Sequence, residues 1–151
     1  MTTTILTRTV SRALLTPVLA VAAAILVKGY ADVGDGFAAA AVAALGVLLQ
    51  YVGCSREEAE RLLIVRRATQ IAFGGLSLAL AVALLPWLAG GAILEHSPRP
   101  GSEPVYLGTL ELITAFAFDI GIFGLVLGAA VAIIDAIARE RATLDEPGSA
   151  L

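Results

Sequence analysis

The stretch that decides the fold is Leu110–Ile137, LELITAFAFDIGIFGLVLGAAVAIIDAI, an apolar run with Asp119 set inside it. The hydrocarbon core of a bilayer takes about 20 apolar residues of helix, roughly 17 to 25 in practice, so this run exceeds one straight crossing. It must tilt, break or project beyond the membrane. Three further runs reach the required length, from about Val10 to Val27, from Phe37 to Gly53 and from Ala68 to Leu88. All are continuous rather than alternating and rich in Ala and Leu, which favours helices over barrel strands. The expected fold class is therefore an all-α integral membrane protein with four transmembrane helices. Residues 1–142 form the membrane domain, and 143–151 a polar, disordered tail with Pro147 and Gly148.

The composition agrees with four spans. Of 151 residues, 58% are hydrophobic and 15% charged, with a mean hydropathy of +0.88, too apolar for a soluble core to cover with polar surface. A net charge of -3 with ten Lys and Arg offers no broad basic surface, so nucleic acid is excluded as a partner. Cys54 and His96 are the single cysteine and histidine, and they fall on opposite sides of the membrane, which argues against a metal site. With no nucleophile–base pair or nucleotide loop, no catalytic residue, no cofactor and no enzyme activity is expected.

Positive residues resist translocation, so their distribution orients the chain. Arg8, Arg12, Arg56, Arg61, Arg66, Arg67, Arg139 and Arg141 fall on the side that holds both termini, against Lys28 and Arg99 on the other. The N and C termini are expected to be cytoplasmic. Arg8 and Arg12 before a short apolar run also resemble a secretory signal, but three later spans favour an uncleaved first helix. Pro17 in that helix costs one backbone hydrogen bond, which membrane helices tolerate when neighbours re-satisfy the carbonyl.

Between the second and third spans, Ser55 followed by Glu58 forms a capping-box pattern, and Glu57 to Arg61 an i,i+4 pair. A short surface helix is expected there, with its charges on a solvated face or on a docking surface for a partner. Arg66 and Arg67 can snorkel to the phosphate level. The loop from Gly90 to Pro104 is too rich in Gly and Pro for a regular element, and Trp87 and Tyr106 beside it fit an interfacial aromatic belt.

Asp119 is the candidate with most chemical content. Counted from Leu110 it lies on the order of 13 Å along the helix, near mid-membrane. An ionised carboxylate there is costly, so it should face other helices and be protonated or paired. It belongs either to an ion path or to an interhelical packing contact. Ser77 is the best partner within the chain, with Gln50 and Tyr51 nearer the cytoplasmic face. Glu111, eight residues earlier, comes to within about 80° of the same helical face and either opens an acidic path or is simply solvated at a helix start.

Small residues mark the packing faces. Gly121, Gly124 and Gly128 allow close backbone approach, and the alanines of the second span offer a complementary smooth surface. Gly34-Asp35-Gly36-Phe37, with Asp32 nearby, reads as a capped turn into the second span, whose helix start has free N–H groups; the alternative is that the two carboxylates attract a cation to the outer mouth.

The arrangement resembles the B subunit of the multisubunit Mrp (Mnh) sodium/proton antiporters. The likeness covers roughly Ile5 to Ile137 and rests on two motifs. The segment from Gly29 to Phe37 resembles the family's Gly-His-x-x-Pro-Gly-Gly-Gly-Phe turn, with Tyr30, Val33 and Asp35 as departures. Phe118-Asp119-Ile120-Gly121 resembles its Phe-Asp-x-Gly. The resemblance implies an accessory, multi-pass subunit in a bacterial or archaeal cell membrane, partnered by other antiporter subunits, with Na⁺ and H⁺ as the ions the complex exchanges. Other readings stay open: the corresponding subunit of a hydrogenase-type energy-converting complex, a stand-alone homodimeric transporter, or a scaffold in which Asp119 only packs.

Overall fold

The computed structural model describes residues 5–30, 34–88, 90, 93–94, 106–107, 110–111 and 114–144. Most of the Gly- and Pro-rich loop from Gly90 to Pro104, and the tail beyond Leu144, lie outside the described residues. Four long helices carry the fold: α1 (Ile5–Lys28), α2 (Gly36–Gly53), α5 (Ala68–Leu88) and α6 (Thr114–Leu144). Each is long and apolar enough to cross a membrane. Two one-turn helices, α3 (Arg56–Ala59) and α4 (Leu63–Arg66), join α2 to α5.

Helix ends differ from the apolar runs because hydrogen bonding, not hydropathy, sets them. α1 begins before Val10 and α6 continues past Ile137 into polar residues. At its start, α6 is shorter than its apolar run. Leu110 and Glu111 form strand β2, paired antiparallel with β1 (Tyr106–Leu107) in the register Tyr106 to Glu111 and Leu107 to Leu110. Backbone committed to a ladder cannot also supply the helical bonds, so the helix starts at Thr114.

The four spans form an open row. α1 packs on α2, α2 on α6 and α6 on α5, while α1 and α5 make no extended contact. α2 runs through the middle, and half of it is buried, against 11% for the spanning windows of α1 and α5. Its alanines Ala40, Ala43 and Ala44 share a core with Val47, Leu127 and Val131, which fill the space between α2 and α6. Gly46 on the other face admits Val18, since a Cβ there would lie 2.8 Å from Val18 Cγ1. Lipid tails are as apolar as these side chains, so contact area and close fit, not water exclusion, hold the row together.

Small residues decide how closely α5 and α6 meet. A Cβ on Gly121 would stand 2.7 Å from the Ala79 nitrogen, and one on Gly124 3.2 Å from the Gly75 Cα. Gly128 faces the Ala72 backbone in the same way. The glycine seam of α6 therefore faces α5, not the alanines of α2. Those alanines meet the larger Val131 and Leu127 instead.

Side-chain pairing also departs from the local patterns at the α3–α4 end. Ser55 sits at the N-cap of α3 but makes no side-chain capping bond. Glu58 reaches instead to Arg8 and to Arg12, the latter at 2.7 Å, and so ties α3 to α1. The i,i+4 pair that forms in this segment is Arg56 to Glu60 at 2.8 Å. Two arginines one helical turn apart on α1 outcompete the local cap for a single carboxylate.

Candidate functional site

The two most specific sequence motifs meet at one end of the row. α1 ends at Lys28, Gly29 and Tyr30 continue from it as a turn, and α2 starts at Gly36 after Gly34 and Asp35. Gly34 has φ +120°, a conformation that side chains disfavour. That backbone turns the Gly34 N–H toward α6, where it donates to Oδ2 of Asp119 at 2.7 Å. Asp119 is buried, 5% exposed.

Absent side chains make room for the carboxylate. A Cβ on Gly29 would lie 3.3 Å from Asp119 Oδ2, and Gly36 packs directly on the Asp119 backbone. The acid thus sits against the positive end of α2, where unpaired backbone N–H groups favour negative charge. Asp35, the N-cap residue, makes no side-chain cap of its own. Its carboxylate takes Lys28 Nζ at 2.8 Å, closing an ion pair across the turn. One turn before Asp119, Phe116 meets Tyr30 edge to face, with ring centroids 5.5 Å apart.

The placement of Asp119 changes with the helix start. It lies five residues into α6, about 7 Å along the axis, rather than near its middle. Ser77 is exposed and does not approach it. Glu111 is in β2 rather than on the helix, so the helical alignment expected between the two acids does not arise. Phe37 is largely exposed beside the turn, at 62%.

A family model described as a domain related to the MnhB subunit of Na⁺/H⁺ antiporters matches residues 6–132. The chain belongs to this family. The matched segment of this MnhB-related chain contains the α1–α2 turn, Asp119 and the whole α5–α6 seam. Among curated relatives, the A/B subunit of a probable K(+)/H(+) antiporter from Rhizobium meliloti (strain 1021) is 34% identical over 119 residues. That match covers 79% of this chain and 12% of the relative, which is a far longer protein. The B subunit of a Na(+)/H(+) antiporter from Alkalihalophilus pseudofirmus (strain ATCC BAA-2126 / JCM 17055 / OF4) is 30% identical over 136 residues. There the match covers 90% of this chain and 93% of the relative. With four membrane-crossing helices, the MnhB-related chain is a multi-pass protein of the cell membrane.

The other end of the row holds a second carboxylate on α6 that sequence reasoning misses. Asp135 accepts a hydrogen bond from the Tyr51 hydroxyl of α2 at 2.8 Å and pairs with Arg139 at 2.9 Å. Arg139 also reaches Glu60 at 3.6 Å, which in turn holds Arg56. Tyr51, Asp135, Arg139, Glu60 and Arg56 form one chain of contacts linking α2, α3 and α6. Next to it, buried Gln50 donates to the Ser11 carbonyl of α1 at 2.6 Å. The available signal is that Tyr51 and Asp135 are both polar residues inside apolar runs.

α2 and α6 run in the same direction, and the acids of α6 hold α2 at both of its ends. Sixteen residues separate Asp119 from Asp135, about 24 Å along the axis. The carboxylate–backbone contact at one end and the carboxylate–hydroxyl contact at the other fix the register of the central helix pair.

Proposed function

We propose that this chain is an accessory subunit of a multisubunit monovalent cation/proton antiporter, in which Asp119 anchors the α1–α2 turn on α6. Its partners are the other membrane subunits of that complex, and the ions moved are a monovalent cation and H⁺. The names of the relatives, one from a Na(+)/H(+) and one from a K(+)/H(+) antiporter, support the cation class without dividing it. The eight-to-two division of basic residues supports cytoplasmic termini, with the Asp119 end facing outward.

The observation that carries the reading is the open row of helices. A stand-alone exchanger needs a site reached alternately from the two sides, built between repeats or bundles that move against each other. Here α1 and α5 lie at the edges of a row with their outer faces bare. The buried acid Asp119 is engaged by a backbone N–H within the chain. That geometry suits a subunit completed by neighbours, and a transporter component rather than an enzyme.

Asp119→Asn and Asp119→Leu in the assembled complex test the anchoring role. Asn keeps an acceptor for Gly34 but cannot ionise. The expected result is that Asn preserves assembly and cation/proton exchange, while Leu impairs assembly. Normal assembly with exchange abolished in the Asn variant would overturn the anchor and give Asp119 an ionising role. A purified chain that exchanged cations alone in liposomes would overturn its place within a larger complex.

A further inference from the structure

The arginines at the α3–α4 end fall into two groups. Arg8 and Arg12 close on Glu58, Arg56 on Glu60, and Arg139 on Asp135 and Glu60. Arg61, Arg66, Arg67 and Arg141 make no ion pair among the described residues, and of these Arg66 and Arg67 stand together where α4 meets α5. Both are exposed, and they open onto a groove of about 270 Å³ lined by Leu63, Arg66, Arg67 and Gln70. Arg67 caps α4 and Ala68 opens α5, so the four residues share a face at the junction of the two helices.

That face continues into the membrane span. Phe73, 65% exposed, and Gly74 come next along it, followed by Ser77. A Cβ on Gly74 would meet nothing within 4 Å, so the glycine leaves a notch beside the Phe73 ring. Ala68, Ala72, Gly75 and Ala79 occupy the opposite face of α5 and pack on α6. A cationic groove thus leads directly into an apolar track turned away from the row.

We propose that Arg66, Arg67 and Gln70 bind the phosphate of an anionic phospholipid whose acyl chain lies along the Phe73–Gly74 face of α5. Guanidinium forks match phosphate oxygens with paired, charge-assisted hydrogen bonds, and the Gln70 amide adds a donor at the same level. Two uncompensated cations attract a net-negative headgroup over a zwitterionic one. A free phosphate would satisfy the arginines and leave the track empty. The lipid uses both parts, and the position of the groove at the entry of a spanning helix sets the phosphate at the membrane boundary.

The test uses the full chain with Phe73→Trp as reporter and Trp87→Phe to remove the other indole. Reconstituted in phosphatidylcholine vesicles with rising fractions of phosphatidylglycerol brominated on its chains, the reporter should be quenched more than bulk composition predicts. The reciprocal labelling, with bromine on phosphatidylcholine, should show the deficit. Each of Arg66→Gln and Arg67→Gln should lower the relative affinity for the anionic lipid by about five-fold. Arg66→Lys/Arg67→Lys, which keeps the charge, should retain most of the preference. Equal quenching by the two lipids, or an unchanged preference in Arg66→Gln/Arg67→Gln, would overturn the proposal. Loss of the preference on adding millimolar inorganic phosphate would assign the groove to a free anion and overturn it as well.

Discussion

The backbone N–H of Gly34 donates to Oδ2 of Asp119 at 2.7 Å across 85 residues of sequence. This one bond joins the turn between α1 and α2 to the first turns of α6. It brings together the glycine-rich segment and the Phe-Asp-x-Gly segment, the two stretches that carry the family resemblance. The carboxylate has a local reason to be there, since it lies beside the start of α2, where Gly29 leaves it room and Gly36 admits the Asp119 backbone.

Removing the acceptor should cost more than weakening it. Asp119→Leu takes the acceptor away from the Gly34 N–H at a part-buried contact, an expected loss of about 0.5–1.5 kcal/mol. Asp119→Asn retains a carbonyl oxygen and should lose a smaller part of that. Thermal unfolding of the purified chain in detergent, followed by circular dichroism, compares the two. Equal losses would remove the hydrogen bond as the cause.

The turn itself depends on a backbone conformation. Gly34 holds φ +120°, so Gly34→Ala should destabilise by about 1–3 kcal/mol although no atom crowds the position. The same unfolding measurement serves, with faster hydrogen exchange at the first turn of α2 as a local readout. Unchanged stability would mean that the turn relaxes to another conformation at no cost.

Glycines on the two faces of α5 and its partner α6 should respond in opposite senses. A Cβ at Gly121 meets the Ala79 backbone at 2.7 Å, so Gly121→Ala forces the helices apart and is expected to cost about 1–3 kcal/mol. Gly74 faces open space, and Gly74→Ala should be neutral or stabilise by up to about 1 kcal/mol, since alanine is the better helix former. Thermal unfolding of the two single variants reads the contrast. If both destabilise equally, close approach at Gly121 is not what matters.

The far end of α6 offers a direct measure of coupling. Tyr51→Phe removes the hydroxyl that donates to Asp135, and Asp135→Asn weakens the acceptor and its pairing with Arg139. A double-mutant cycle should give a coupling of about 0.5–1.5 kcal/mol between the two positions. Additive effects would show that the 2.8 Å contact contributes nothing to stability.

The candidate site is legible in its residues but not in its relations. Asp119 stands out as a carboxylate inside an apolar run, and Gly34, Asp35 and Gly36 as a turn. Ser77 is the expected partner because it sits midway along its span, yet it lies on the exposed face of α5. Hydropathy records depth along a helix and not the direction in which a side chain points. The depth itself shifts because β-ladder bonds at Leu110 and Glu111 delay the start of the helix, a pairing that an apolar run does not encode. Asp135 is not legible as a site because α2 brings Tyr51 to it only after α2 and α6 pack side by side.

The sequence by itself determined that four segments cross a membrane and which family the chain joins. Both rest on local chemistry: runs of apolar side chains long enough to replace water with lipid, and two short motifs. Only the tertiary structure decided that the spans stand in a row as α1, α2, α6 and α5, that the α6 glycines meet α5, and that Gly34 holds Asp119. Those outcomes depend on which faces fit most closely when every face is apolar, and packing in three dimensions, not hydrophobicity along the chain, makes that selection.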